Sequence, residues 1–543
     1  MSAQWRVLIA DAIDRSALGP LTDDSRFEVI DAPGLSGDRL AGAMENVDAV
    51  LVRSATKITR DALARADRLS VIGRAGVGVD TIDVDAATER GIAVLTAPSG
   101  NTISAAELTF ALLLALVRRV AAADRSMKAG AWDRKSFTGT ELYGKTLGLV
   151  GAGRIGSEVA RRARAFGMRV VAFDPYLSVE RAAELEMELA PLDQVVARAD
   201  AITVHVPLTD ATRGLIDTAM LARAKPQAVI VNCARGGIID EAALIDALRE
   251  RRVAGAALDV YEQEPLPADH PLRTLDTVIL TPHLGASTAE AQRNVAVEIA
   301  DAVRGALADG DLSRAVNAPA VGGDEMRRAA PLLRLGTTLG MIAAALVRAP
   351  IQDVEVVLAG GAPRLLRPLV PCVLVGLLRS TLGAERVNFV NAAWLAKGRG
   401  ITVTQAQREP HADAGDQIEI RVRADHAVTL VAGALLDQRH PRLVRIGDYR
   451  LDVVPHGALV ILRNRDVPGV IGRVGTLLGA AGINIGEYHQ ARLAAGGEAL
   501  AVVNVDAPLA PSVIGDLRAL PGVTDVRQVD VGDGAGARGR PLA

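Results

Sequence analysis

The sequence predicts an α/β protein: two Rossmann-like lobes of parallel sheet with helices on both faces, then an α+β intervening domain and a ferredoxin-like unit. Three observations carry this. Residues 6–98 alternate short apolar strands with helical patterns, as a parallel sheet requires. From residue 146 an apolar strand meets a glycine-rich turn, a helix, a second strand and Asp174. From residue 457 the pattern strand–helix–strand–strand–helix–strand fills about 70 residues.

The 543 residues are too many for one core and suggest about three or four domains. A net charge of −3 gives no electrostatic case for nucleic acid or an acidic membrane surface. Only six of the 61 basic residues are lysine, a bias that carries no function by itself. Cys233 and Cys372 are the only cysteines, which excludes a disulfide framework and a cysteine-based zinc centre, and no metal site is expected. The N-terminus runs directly into a strand and does not resemble a signal peptide. The longest apolar run, 108–117, is too short to span a bilayer, so the expectation is a soluble cytoplasmic protein with no membrane partner.

In the first lobe, strands are expected at 6–10, 27–31, 49–52, 69–73 and 93–96. The loops after two of them, Arg53-Ser54-Ala55-Thr56 and Arg74-Ala75-Gly76, lie where open α/β sheets bind ligands, making Arg53 and Arg74 candidates to hold an anion. A loop ending in Asn101 then caps an Ala/Leu-rich helix reaching about residue 119. The basic loop Trp132-Asp133-Arg134-Lys135-Ser136-Phe137 leads to the second lobe.

That lobe centres on Gly151-Ala152-Gly153-Arg154-Ile155-Gly156. Gly151, Gly153 and Gly156 allow a tight turn, close approach to a pyrophosphate, and packing of the helix on its strand. The helix N-terminus favours phosphate. Asp174, about 20 residues on, can accept hydrogen bonds from a ribose diol and would repel a 2′-phosphate, so NAD is favoured. Further apolar strands end at His205-Val206-Pro207, at Asn232-Cys233-Ala234-Arg235-Gly236-Gly237, at Asp259, and before His283.

Arg235, Glu264 and His283 stand out as a catalytic set. Histidine has the pKa to take a hydroxyl proton, a carboxylate on its other nitrogen fixes the tautomer, and arginine binds a carboxylate bidentately. His205 is the main rival base. Cys233 has no identifiable base beside it and reads as a small buried residue.

After a long helix to about residue 307, residues 318–325 read as a linker. Residues 326–452 mix helical stretches at 332–347 and 366–378 with strand-like ones at 353–358, 418–422 and 427–432. The Gly- and Arg-rich tail from Gly532 reads as disordered.

The glycine motif, Asn232–Gly237, Asp259-Val260-Tyr261-Glu262-Gln263-Glu264-Pro265 and Thr281-Pro282-His283-Leu284-Gly285-Ala286-Ser287-Thr288 together resemble the D-isomer-specific 2-hydroxyacid dehydrogenases. Within them, the loops around Arg53, Arg74 and Trp132 are similar to the long-form branch acting on 3-phospho-D-glycerate, which carries intervening and ACT domains. The resemblance implies a discontinuous substrate domain (1–97 with 288–317), an NAD domain (98–287), an intervening domain (318–454), an ACT domain (455–531) and a tail (532–543). It implies oxidation of 3-phosphoglycerate to 3-phosphohydroxypyruvate, the entry to serine synthesis. His283 is then the base, Glu264 its partner, and Arg235 the group orienting the substrate.

The cofactor set it implies is Gly151, Gly153, Arg154, Ile155, Gly156, Asp174, Val206, Ala234, Arg235, Asp259, His283 and Gly285, with Val206 where relatives often carry threonine. Substrate contacts would be Arg53, Ser54, Arg74, Gly76, Asn101, Arg134 and Lys135. The family further implies a homotetramer and an L-serine effector, for which Asp466 and Asn484 are candidates; Asn464 replaces an aromatic seen in some relatives. On the residues, two readings compete with this one: reduction of 2-oxoglutarate or glyoxylate, and an NAD-sensing corepressor.

Overall fold

The computed structural model describes residues 4–319, 322–409 and 416–532. Two compact units result: 1–12, 18–96 and 299–543 form one, and 13–17 with 97–298 form the other.

The first unit opens with five parallel strands, β1 (Trp5–Ile9), β2 (Phe27–Asp31), β3 (Ala49–Val52), β4 (Val71–Arg74) and β5 (Ala93–Thr96), in the order β2-β1-β3-β4-β5. The apolar runs of β3 and β5 are buried on both faces, as inner parallel strands and strands covered by later chain are. β4 lies two residues later than the sequence suggests at its start and ends on Arg74 itself.

In the second unit, β6 (Thr146–Val150), β7 (Arg169–Phe173), β8 (Glu188–Leu189), β9 (Ala201–Val204), β10 (Val229–Asn232), β11 (Gly255–Leu258) and β12 (Val278–Leu280) form one parallel sheet, ordered β12-β11-β10-β9-β6-β7-β8. Strand order reverses between β6 and β9. The glycine turn follows β6, at the switch point where ligands of such sheets bind.

The helix expected to reach about residue 119 is present, and a second helix that the sequence did not suggest follows it. Thr102–Val117 ends, Arg119 takes a left-handed conformation (φ 56°), and Val120–Lys128 follows without burying any residue.

The chain's third sheet contains β13 (Ile351–Ala359), β14 (Thr402–Arg408), β15 (Asp416–Ala424), β16 (Ala427–Leu436), β17 (His440–Ile446) and β18 (Tyr449–Val453), ordered β14-β13-β15-β16-β17-β18. Sequence reasoning missed β14, β17 and β18. The expected linker at 318–325 is a further correction: a helix begins at Gly323 and runs to Leu346 through Pro331.

That helix and the Pro363–Leu382 segment are long and apolar enough to cross a membrane, yet 50% and 56% of their most apolar windows are buried. Leu332, Leu335, Leu339 and Ile342 of the one share a core with Leu369, Val373 and Leu377 of the other and with Ile418 and Ile420 of β15.

β19 (Ala458–Arg465), β20 (Ile485–Arg492), β21 (Glu498–Val505) and β22 (Val523–Asp530) form an antiparallel sheet ordered β20-β21-β19-β22, with helices Val470–Ala480 and Pro511–Ala519 on one face. This is the ferredoxin-like arrangement. Its other face, through Leu459, Ile461, Leu500 and Val502, joins the core of the third sheet. The predicted tail beyond Gly532 lies outside the described residues.

Candidate active site

The second unit brings Arg235, Glu264 and His283 together. His283 Nδ1 lies 2.8 Å from Glu264 Oε2. Both side chains are partly open to solvent, at 46% and 37% exposure. Burial pushes Glu264 up, but the His283 hydrogen bond and charge, the Tyr261 amide and Arg235 outweigh it and leave the carboxyl below its usual range. The Glu264 hydrogen bond raises the imidazole pKa against the opposing pull of burial and of the Arg235 charge. Nδ1–H donating to Glu264 leaves Nε2 as the free lone pair, the tautomer a base needs.

His283 holds a left-handed backbone (φ 55°), uncommon for a non-glycine residue and frequent at functional sites. Asp259, 0% exposed at the end of β11, holds that turn. Its Oδ1 accepts from Thr281 Oγ1 (2.6 Å) and Leu284 N (2.7 Å), and its Oδ2 accepts from Gly285 N (2.9 Å). Two residues on, Tyr261 Oη donates to the carbonyls of Leu258 (3.0 Å) and Thr281 (2.8 Å), and its amide donates to Glu264 Oε1 (3.1 Å). Burial pushes the Tyr261 hydroxyl up to about 12, so it remains a donor at any working pH.

Arg235 stands on the turn after β10. Asn232 shapes this turn by accepting Ala234 N at 3.0 Å and donating to the Arg235 carbonyl at 2.9 Å. The guanidinium donates to the Ala234 carbonyl at 2.6 Å. A Cβ on Gly236 would sit 1.8 Å from the Tyr261 carbonyl oxygen, so only glycine lets the Arg235 turn lie against the strap bearing Glu264.

The rivals fall away. The His205 imidazole, 2.9 Å from Thr203 Oγ1, is desolvated and pushed down to about 4, so it stays neutral and is a weak base. The Cys233 thiol is pushed up to about 12 by burial, too high for a nucleophile.

The glycine turn fits a dinucleotide. Gly151 adopts φ 94°, and a Cβ there would meet Val206 Cγ1 at 2.8 Å. A Cβ on Gly156 would lie 2.1 Å from the Gly151 carbonyl oxygen, while at Gly153 nothing lies within 4 Å, leaving room for a pyrophosphate. Arg154 and Ile155 open the helix Arg154–Ala165, whose first amides point toward that space. Asp174, just past β7, accepts from Ala152 N (2.8 Å) and Tyr176 N (2.9 Å), which fixes its carboxylate beside the turn.

The expected substrate residues divide between the units. In the first unit, Val52 is in register with Arg74, so Arg53, Ser54, Arg74 and Gly76 share the carboxyl edge of β3 and β4. In the second, Asn101 precedes the helix Thr102–Val117, and its Oδ1 is buried without a partner, as a ligand-binding amide would be. Arg134 and Lys135 stand on an exposed loop ordered by Asp133, which accepts the amides of Lys135 (3.0 Å) and Ser136 (3.1 Å). Among the described residues neither side chain contacts Arg235, Glu264 or His283.

In the ferredoxin-like unit the two effector candidates have separate partners. Asp466 accepts from Arg492 Nη1 (2.9 Å), which holds its carboxyl below the usual range, and Asn484 donates to Asp506 Oδ2 (2.9 Å).

Comparison with known proteins follows this division. Residues 110–285 match the D-isomer specific 2-hydroxyacid dehydrogenase NAD binding domain, 328–447 the D-3-phosphoglycerate dehydrogenase intervening domain, and 458–522 the ACT domain. The chain is 40% identical to a D-3-phosphoglycerate dehydrogenase of Bacillus subtilis over 528 residues, 97% of this chain and 100% of that one. It is 44% identical to one of Mycobacterium tuberculosis over 484 residues, 88% of this chain and 90% of the other. A crystal structure of a glyoxylate reductase from Paecilomyes thermophila aligns with a TM-score of 0.53 at 32% identity, over 58% of this chain and 99% of that one. With near-full-length relatives of one kind and three matching domains in sequence, the chain belongs to the D-isomer-specific 2-hydroxyacid dehydrogenases, in the D-3-phosphoglycerate dehydrogenase group.

Proposed function

We propose that this protein oxidises 3-phospho-D-glycerate to 3-phosphohydroxypyruvate, the first step of L-serine biosynthesis. The observation that carries the reading is the His283–Glu264 pair with the Arg235 turn packed against it, in the same sheet unit as a glycine turn with room for a pyrophosphate. NAD, bound at that turn with Asp174 on its ribose, supplies the hydride acceptor. His283 Nε2 takes the proton from the C2 hydroxyl, and Glu264 stabilises the imidazolium that results. Arg235 holds the carboxylate and polarises the developing carbonyl. Arg53, Ser54, Arg74, Gly76, Asn101, Arg134 and Lys135 bind the phosphate and the rest of the substrate.

The domain limits are those named from the sequence, with the substrate domain discontinuous. A homotetramer accounts for Val120–Lys128, a nine-residue helix in which no residue is fully buried within its own chain. L-Serine is the effector of the ACT domain, through Asp466 and Asn484, and the protein is cytoplasmic. A second reading, reduction of 2-oxoglutarate, uses the same Arg-Glu-His set.

The test is NADH absorbance from protein, NAD and 3-phosphoglycerate, with hydrazine trapping the ketone. Turnover of 2-hydroxyglutarate with none of 3-phosphoglycerate would reject the first reading in favour of the second.

A further inference from the structure

Asp11 lies immediately beyond β1 and is 4% exposed. Its Oδ2 accepts the amides of Arg53 (2.5 Å) and Thr56 (3.2 Å), and its Oδ1 accepts Thr56 Oγ1 (2.7 Å). The neighbouring Ala12 carbonyl accepts Arg53 Nη1 at 3.2 Å. Thr56 is buried, whereas Ser54 and Ala55 form an exposed crest. Among the described residues the amides of Ser54 and Ala55 meet no acceptor.

We propose that Asp11 is a positioning residue for substrate: it binds the two outer amides of the 53–56 loop and leaves the two inner ones, with Arg53, to an anionic group of the ligand. The inference rests on the reading of this loop as substrate-binding. A bare carboxylate beneath an anion site would repel the anion. Here three donors converge on it and disperse its charge into the loop, which is therefore held open before the ligand arrives. A carboxylate accepts from all three donors with its negative charge behind each bond. An asparagine keeps both amides on its oxygen only by turning its NH2 group to Thr56 Oγ1, which then accepts and donates instead to the Ala10 carbonyl at 3.3 Å, so what it loses is the charge behind the two amide bonds.

The experiment is initial-rate kinetics on the full-length enzyme with 3-phosphoglycerate and NAD, for Asp11→Asn, Thr56→Val, Thr56→Ser and Arg53→Ala. Asp11→Asn is expected to raise KM for 3-phosphoglycerate about tenfold, the size of exchanging a charged acceptor for a neutral one beneath the loop, with kcat and KM for NAD within about twofold. Thr56→Val should raise the same KM, and Thr56→Ser, which keeps the hydroxyl, should restore it. Should Arg53→Ala raise KM while Asp11→Asn leaves it unchanged, the role of Asp11 is overturned and the loop reading stands. Equal loss in kcat and both KM values for Asp11→Asn also overturns it, as a global structural effect. An unchanged KM in Arg53→Ala removes the substrate-loop reading, and the proposal with it.

Discussion

Two aspartates in different regions make opposite use of the same carboxylate. Asp259, at the end of a parallel strand, is fully buried and holds three groups of one short turn. Asp466, just past the inner antiparallel strand β19, meets the guanidinium of Arg492, which is 61% exposed. The first fixes a backbone in a conformation it would otherwise avoid, since His283 sits at positive φ directly between its ligands Thr281 and Leu284. The second is an ion pair in contact with water, of a kind that contributes little to stability. On the proposed function, the geometry for proton transfer is set in advance by buried groups, whereas the groups proposed for the effector stay accessible.

The sharpest way to break this contrast is to remove the group that the buried carboxylate positions. His283→Ala should lower kcat by about a thousandfold or more, read from NADH formation. A variant with full turnover would leave the turn without the role assigned to it. Asp259→Asn should come next, destabilising the fold by about 3 kcal/mol in denaturant titration and lowering kcat about a hundredfold, because Asn cannot accept from all three donors.

Glu264→Gln should cost about tenfold to a hundredfold in kcat and should also move the pH profile. In the native protein the imidazole pKa is raised by Glu264, and the base works only when neutral, so activity climbs as pH rises through that raised value. Without the carboxylate the climb should shift to lower pH. The pair's contribution to stability follows the same signs. The Glu264 part is present above its ordinary value of 4.5 and is lost as pH falls through its lowered value. The His283 part is complete below 6.5 and is lost as pH rises through its raised value. The smallest effect belongs to Asp466→Asn, which should leave stability nearly unchanged while altering the response of velocity to added L-serine. A large loss of stability there would erase the contrast with Asp259.

Much of this was legible in the chain because parallel strands are short, apolar and followed by their functional residues. The glycine turn, Asp174, Arg235, Glu264 and His283 all lie at strand ends or just beyond them. What stayed hidden were residues whose meaning is a tertiary contact. Asp259, proposed as a cofactor residue, also engages a turn more than 20 residues downstream, a contact that its sequence position does not announce. Asp11 carried no mark among 64 acidic residues. Glu241, which accepts the Glu262 amide at 2.5 Å and so steadies the Glu264 strap, is in sequence one acid among many at a helix start. The helix Gly323–Leu346 was truncated because Pro331 reads as a helix start, whereas packing in the third core carries the helix through it. β14 escaped because none of its residues is buried, so the period-2 signal had no apolar face to reveal it.

The backbone contact at Gly236 bears on how this site can be mapped. On the Tyr261–Glu262 side, the nearest atoms to Gly236 are all main chain. An alanine scan of that strap would therefore register nothing from the contact, however tightly it joins the arginine turn to the carboxylate. Only replacement of Gly236 itself, or an ester in place of a peptide bond, would reveal the coupling. A library that randomises every position of the site should hold 236 constant, or most of its members will report a displaced backbone rather than altered chemistry.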